Sequence, residues 1–242
     1  MVFRNPFKNL SKFEWFLWST SIFTIVISFT ISGGFLPITL SASIIGVTAL
    51  IFLAKGDVWG QLLTVLFSLL YALISLKYRY FGEMITYLGM TAPIAILSVI
   101  SWLKNPYSGT AEVRVHQLGS KEIFRMLALT SIVTIAFYYI LELFSTANLI
   151  VSTVSIATSF LASYLTLHRS PAYALAFAAN DIVLIILWVL ATIEDVSYFP
   201  MIANFVMFLL NDIYGFFNWL KMKQRQKSDT QKADELPNSN IG

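Results

Sequence analysis

Apolar residues fill this chain in runs of about twenty, and short polar turns separate the runs. A helix rises about 1.5 Å per residue, so about 20 apolar residues cross the hydrocarbon core of a bilayer. The pattern predicts eight such helices, at about residues 12–32, 36–54, 58–76, 83–103, 122–144, 147–167, 172–192 and 199–220. The breaks carry turn chemistry: Ser32-Gly33-Gly34, then Lys55-Gly56-Asp57, then Asn105-Pro106-Tyr107-Ser108-Gly109, which opens the one sizeable loop. Ser170-Pro171 starts the seventh span, with serine as cap and proline in the first turn. The run from Trp15 to Ile31 is too long for a signal-peptide core and leads into another apolar run, so it reads as the first span. From Lys223 onward the chain is polar, and residues 223–242 are expected to be disordered.

Composition sharpens this picture. Charged residues make up 12% of the 242 residues, against about 25% in a soluble domain. So few charges cannot clothe a water-facing surface, and lipid must be the solvent for most of it. The expected fold is all-α: a polytopic membrane helix bundle in one domain over residues 1–222. No stretch is left over for a soluble catalytic domain. The absence of cysteine excludes disulfides and thiol chemistry. The two histidines, His116 and His168, fall in predicted loops, so no intramembrane histidine site is expected.

Lys and Arg placement gives an orientation. Of sixteen, fourteen precede span 1, follow spans 2 and 8, or flank the long loop and the sixth–seventh turn; only Lys77 and Arg79 lie on the other side. The positive-inside rule then puts both termini in the cytoplasm. The same split accounts for the net charge of +3 without any nucleic-acid partner.

A weak internal repeat lies at an offset of 117 residues. Trp102-Leu103-Lys104 matches Trp219-Leu220-Lys221, and Met84-Ile85 matches Met201-Ile202. Spans 2–4 (about 36–104) would then repeat as spans 6–8 (about 147–221) in the same orientation. Span 5 (122–144) becomes a connector and span 1 an extra helix. Parallel three-helix repeats of this kind occur in SWEET transporters.

Polar residues inside the spans fall into stripes at helical spacing, and such groups ordinarily face a bundle interior. Gln61, Thr64, Ser68, Tyr71 and Ser75 share one face of span 3; Tyr87, Thr91, Ser98 and Ser101 share one of span 4. Asn204, Phe208, Asn211, Gly215 and Asn218 line span 8. For Ser152, Ser155, Ser159 and Ser163 of span 6, close helix packing is the favoured reading. Two carboxylates lie well inside spans, Asp181 and Asp212, each preceded by asparagine. Each also precedes a tryptophan by seven residues, Trp188 and Trp219, on the same helix face. A carboxylate at this depth is a functional candidate, with a structural hydrogen bond as the competing reading. No intramembrane Lys or Arg is available to them, which argues against an anionic solute. Aromatic faces, amides and carboxyls suit a ring-bearing, hydroxylated, neutral or cationic one. The candidates are Asn180, Asp181, Trp188, Asn204, Phe208, Asn211, Asp212 and Tyr214, with Thr64, Tyr71 and Tyr87 from the first repeat.

Arg169-Ser170-Pro171-Ala172-Tyr173, the run Ala178 to Leu184 containing Asn180-Asp181, and Leu187-Trp188 together resemble the PnuC family of nicotinamide riboside transporters. So do Phe208 to Phe216 with Trp219, while Trp102-Leu103-Lys104-Asn105-Pro106 is similar to the motif closing that family's fourth span. The resemblance covers roughly residues 55–222 and is densest in the last two spans. It implies a SWEET-like core of two three-helix repeats, a homotrimer, and facilitated diffusion with cytoplasmic phosphorylation trapping the riboside. It implies no cofactor. Asn180, Asp181, Trp188, Asn211, Asp212 and Tyr214 match family motif positions. In the first repeat Thr64 stands opposite Asp181 and Ile94 opposite Asn211, so an asymmetric site weighted to the second repeat is expected.

Two alternatives remain open at this point. The same machinery could carry another vitamin or nucleoside, such as thiamine, riboflavin or a deoxynucleoside. A membrane enzyme or receptor is more remote, because an enzyme needs a nucleophile, a metal or an acid–base pair within reach. A retinal protein would need a lysine in mid-span, and each lysine here sits at a span end.

Overall fold

In a computed structural model, which describes residues 5–32, 37–77 and 81–235, the apolar runs are helices: α1 (Lys12–Ile31), α2 (Pro37–Ala54), α3 (Val58–Lys77), α4 (Phe81–Thr86), α5 (Ala92–Lys104), α6 (Ser120–Leu143), α7 (Leu149–Leu167), α8 (Ala172–Glu194) and α9 (Phe199–Glu235). Among the described residues, eight helical runs are long and apolar enough to cross a membrane, α4 and α5 forming one of them. Seven of the eight agree with the expected limits to within two residues at either end. Gly33, Gly34 and Arg79, used above for the first break and the charge split, lie outside the described residues.

The last helix is the exception. The expected disorder from Lys223 gives way to helix as far as Glu235. Most residues of this stretch are good helix formers, and the long loop holds it. Gln226 accepts from the Val115 amide at 2.9 Å and donates to the Val113 carbonyl at 3.1 Å. The Tyr107 hydroxyl donates to Asp229 at 2.8 Å, and Arg225 pairs with Glu112. Residues 236–242 lie outside the described residues.

Turn chemistry sets the hairpins. After α2, the Gly56 amide bonds the Leu53 carbonyl (2.9 Å) and the Asp57 amide bonds the Phe52 carbonyl (3.0 Å). This is a Schellman ending, and it puts Gly56 at φ +66°, where glycine carries no side-chain penalty. Asp57 then caps α3 by accepting from the Trp59 amide at 3.0 Å. After α7 the same pair of bonds recurs, Arg169 to Thr166 and Ser170 to Leu165, both 3.0 Å, with Arg169 at φ +55°. Position 56 thus corresponds to 169, an offset of 113 rather than 117.

Packing shows how the two halves meet. Within the halves, α2 packs on α3 and α3 on α5, while α7 packs on α8 and α8 on α9. Between them, α2 meets α9 and α5 meets α7. Exchanging the halves turns one of these contacts into the other, as a two-fold relation requires. The connector α6 lies on α7, and α1 lies against α2 and α9. The fourth span carries Pro93, which has no N–H and crowds the carbonyl four residues back. A π turn over Tyr87–Thr91 absorbs this, with the Ala92 amide reaching the Tyr87 carbonyl five residues away.

The extra helix α1 is tied down by a carboxyl that the sequence reading passed over. Glu14 is 1% exposed although it lies in the first turn of a span. It completes a capping box with Ser11, pairs with Lys55 Nζ at 3.2 Å, and accepts from the Tyr214 hydroxyl at 2.6 Å. One carboxyl therefore joins α1, the α2–α3 turn and α9. Tyr214→Phe is expected to lower stability by about 1.5–3 kcal/mol, the usual worth of a hydrogen bond to a charged group. Thermal unfolding in detergent measures it, and substrate affinity should be unchanged.

Candidate functional site

Between the two three-helix units lies a cavity of about 590 Å³. Gly46 and Leu50 of α2 and Thr64 and Phe67 of α3 form one wall. The π turn supplies Tyr87 and Thr91, and α7 supplies Ser159 and Ser163. From the last two spans come Phe177, Asn180, Asp181 and Leu184 of α8, and Phe205, Phe208 and Asp212 of α9. Gly46 is required where it stands: a Cβ there would come within 2.5 Å of the Phe208 ring and 3.1 Å of Phe67. The pseudo-symmetry extends to the lining. Gly46 and Leu50 correspond to Ser159 and Ser163 at offset 113, and Thr91 to Phe208 at offset 117.

The amide and carboxyl groups of the cavity come from the second half. Asn180 Oδ1 receives the hydroxyls of Thr158 (2.8 Å), Ser159 (2.9 Å) and Ser155 (3.4 Å). Its acceptor is thereby occupied, and its amide NH2 is the group left to serve the cavity. The serine stripe of span 6 is thus more than a packing surface, since Ser159 and Ser163 also line the cavity. The carboxyls of Asp181 and Asp212 both belong to the lining of this cavity. Both residues are 3% exposed, and among the described residues no Lys or Arg pairs with either. Helix rise sets the depth: Asp181 is nine residues into α8, about 14 Å from its start.

Aromatic layers bound the cavity above and below. About 10 Å beyond Asp181 along α8 stands Trp188. It lines two further chambers rather than the central one, of about 670 Å³ and 450 Å³. Glu83 and Glu194 border the larger chamber, and Tyr71 the smaller. Tyr71 packs on Tyr87 with ring centroids 4.4 Å apart, so it backs the cavity wall from behind. Below Asp212, about 10 Å down α9, the Trp219 indole is fully buried against the Trp102 indole at 5.6 Å. Each closes on the opposite half. Trp102 Nε1 donates to the Thr166 carbonyl at 3.0 Å and Trp219 Nε1 to the Leu53 carbonyl at 2.8 Å. Beside them Ser101 Oγ donates to Leu167 O at 3.0 Å and Asn218 Nδ2 to Ala54 O at 2.7 Å. These carbonyls belong to the last turns of α7 and α2, where intrahelical donors run out.

Of the eleven candidates read from the sequence, six line the central cavity: Thr64, Tyr87, Asn180, Asp181, Phe208 and Asp212. Trp188 and Tyr71 belong to the chambers beside it. The other three lie elsewhere. Asn211 donates to Ser21 Oγ of α1 at 3.0 Å and to the Met207 carbonyl at 2.7 Å. Tyr214 is engaged with Glu14. Asn204 is 1% exposed, outside the cavity lining, and its Oδ1 has no hydrogen-bond partner among the described residues. Phe67, Phe177 and Phe205 escaped the sequence reading because nothing separates a cavity-facing phenylalanine from a core one in an apolar span.

The model of the family described as nicotinamide mononucleotide transporter matches residues 36–221, about three-quarters of the chain. The chain belongs to this family. Its matched region begins with α2, which leaves α1 and the outer part of α9 outside. Among curated relatives, the nicotinamide riboside transporter PnuC of Neisseria mucosa is 25% identical over 189 residues, covering 76% of this chain and 72% of the relative. PnuC of Haemophilus influenzae is 22% identical over 186 residues, covering 76% and 79%. A crystal structure of the vitamin B3 transporter PnuC has the same fold, with a TM-score of 0.77 and 22% identity over 90% of this chain and 94% of that one. As a member of a transporter family with eight membrane-capable helices, the protein is a multi-pass membrane protein that acts on a small-molecule substrate.

Proposed function

We propose that this protein takes up nicotinamide riboside, binding it in the central cavity with the Asp181–Asp212 carboxyls near its cationic pyridinium ring. The observation that carries this reading is the pairing of two buried carboxyls with aromatic walls, and no basic side chain, at mid-depth. A cationic ring is attracted by both features. Asn180 and the cavity hydroxyls suit the ribose and the carboxamide. The relatives named above as riboside transporters support the same choice. A mononucleotide fits less well, because its phosphate calls for Arg, Lys or a metal, and among the described residues neither Arg nor Lys lines this cavity.

Transport on this reading is facilitated diffusion, made one-way by phosphorylation of the riboside in the cytoplasm. The two halves rock about the cavity, alternately opening the Trp102–Trp219 side and the Trp188 side. Both termini lie in the cytoplasm, the membrane is the plasma membrane, and the protein assembles as a homotrimer. Support for the orientation comes from the Lys and Arg distribution.

Proteoliposomes loaded with buffer alone test the substrate. Labelled nicotinamide riboside should equilibrate, and the mononucleotide should stay outside. Thiamine, riboflavin and deoxynucleosides belong in the same panel, and faster equilibration of one of them would replace the riboside as substrate. Uptake should be the same with and without a pH gradient. A gradient-driven accumulation would instead make the carboxyl pair a proton-coupling site.

A further inference from the structure

On the face that carries both chain ends, the outer part of α9 and the long loop after α5 enclose a groove of about 960 Å³, well away from the central cavity. Its charge is one-sided. Arg114 of the loop and Lys223 and Lys227 of α9 line it, with Asp229 as the one carboxylate. Asp229 accepts from the Tyr107 hydroxyl and keeps its charge, whereas Glu112 of the loop is paired with Arg225. Among the described residues, none of the three cations has an ion-pair partner. Three cations against one carboxylate leave the lining of this groove with a net positive charge.

The arrangement is also preorganised. Lys223, Gln226, Lys227 and Thr230 recur at helical spacing on one face of α9. Gln226, 7% exposed, pins that face to the loop through both Val113 and Val115. Arg114 is held at its backbone, donating to the Asn105 carbonyl at 2.8 Å and accepting from Arg169 Nε at 3.2 Å. Its side chain thus starts from a fixed point, opposite two lysines on a fixed helix.

We infer that this groove is an anion site for a phosphate group, held by Arg114, Lys223 and Lys227. A phosphate group carries one negative charge as a diester and between one and two as a monoester at neutral pH, offers acceptor oxygens, and meets guanidinium in a two-point fork. Two sources supply that chemistry at this position: a soluble phosphorylated compound, or the headgroup of an anionic lipid. The site is distinct from the substrate cavity, whose ionisable lining groups are carboxyls and a tyrosine.

The full-length protein in neutral detergent is titrated with pyrophosphate by calorimetry, and in parallel its thermal midpoint is compared in phosphatidylcholine vesicles with and without phosphatidylglycerol. The variant is Lys223→Gln/Lys227→Gln, which keeps helix-forming side chains; Lys221→Gln, outside the groove, is the control. Saturable pyrophosphate binding, roughly thirtyfold weaker in the double variant and unchanged in the control, identifies a soluble phosphate. Absence of pyrophosphate binding, with stabilisation by phosphatidylglycerol that the double variant loses and the control keeps, identifies the lipid. Neither probe acting, or either acting equally on the double variant, overturns the site. Circular dichroism of the variant separates a lost site from a lost helix, and Arg114→Gln provides a second variant outside the helix.

Discussion

Nicotinamide riboside affinity is expected to fall roughly ten- to hundredfold in an Asp181→Asn variant, with little change in stability. Asparagine keeps the shape and the polarity of the side chain but removes one of the two carboxyl charges lining the cavity. A hydrogen bond or close contact involving a charged group contributes about 1.5–3 kcal/mol, which is one to two orders of magnitude in Kd. The chemical control is the reduced riboside, whose ring is neutral. If the carboxyl acts by charge, the variant should discriminate against the oxidised form and treat the reduced form almost as the parent does. Equal losses for both forms would mean that Asp181 only shapes the cavity. Equilibrium binding to purified protein reads the difference directly, and it keeps binding apart from the rate of rocking. Asp212→Asn is expected to act in the same direction, because it too removes a carboxyl charge from the cavity wall.

The membrane-spanning architecture was legible in the sequence because hydrocarbon imposes a length and an apolar composition on every crossing helix. The site was legible only to a degree, and helix geometry explains where reading stopped. Neighbouring residues on a helix point about 100° apart, so an Asn-Asp pair can rarely commit both members to one cavity. On α8 both do, since Asn180 and Asp181 stand at opposite edges of the cavity-facing arc. On α9 only Asp212 does, and Asn211 turns to Ser21 of α1. The covering helix has no counterpart in the repeat, and nothing within α9 shows that it lies there. Tyr214 was misread for the same reason, its partner Glu14 being 200 residues away in sequence. The repeat itself was blurred by a four-residue shift. The 117-residue offset relates α5 to α9, whereas 113 relates α2 to α7, so no single alignment brings both cavity walls into register.

The two Trp-Leu-Lys segments, Trp102–Lys104 and Trp219–Lys221, meet in a clasp that carries the second large effect. Two indole donors, Ser101 and Asn218 join the last turns of α2 and α7 to the opposite halves. On the proposed rocking, opening this side breaks all four bonds and separates a pair of packed, fully buried rings. Replacing either indole with alanine should cost about 3–5 kcal/mol of stability, as for other buried aromatics. The milder Trp102→Phe/Trp219→Phe pair removes the two N–H donors but keeps most of the ring packing, at about 0.5–1.5 kcal/mol for each bond. Since the bonds are made only while this side is closed, their loss should shift the equilibrium toward the open form, by about tenfold for a combined 1.4 kcal/mol. The chain contains no cysteine, so a single Ser163→Cys in the cavity wall reports access without interference. Its reaction with a membrane-impermeant thiol reagent applied from the side of the chain ends should speed up about tenfold in the double-Phe background. Reaction from the opposite side should slow. An unchanged rate from both sides would show that the clasp holds the fold together without gating the cavity.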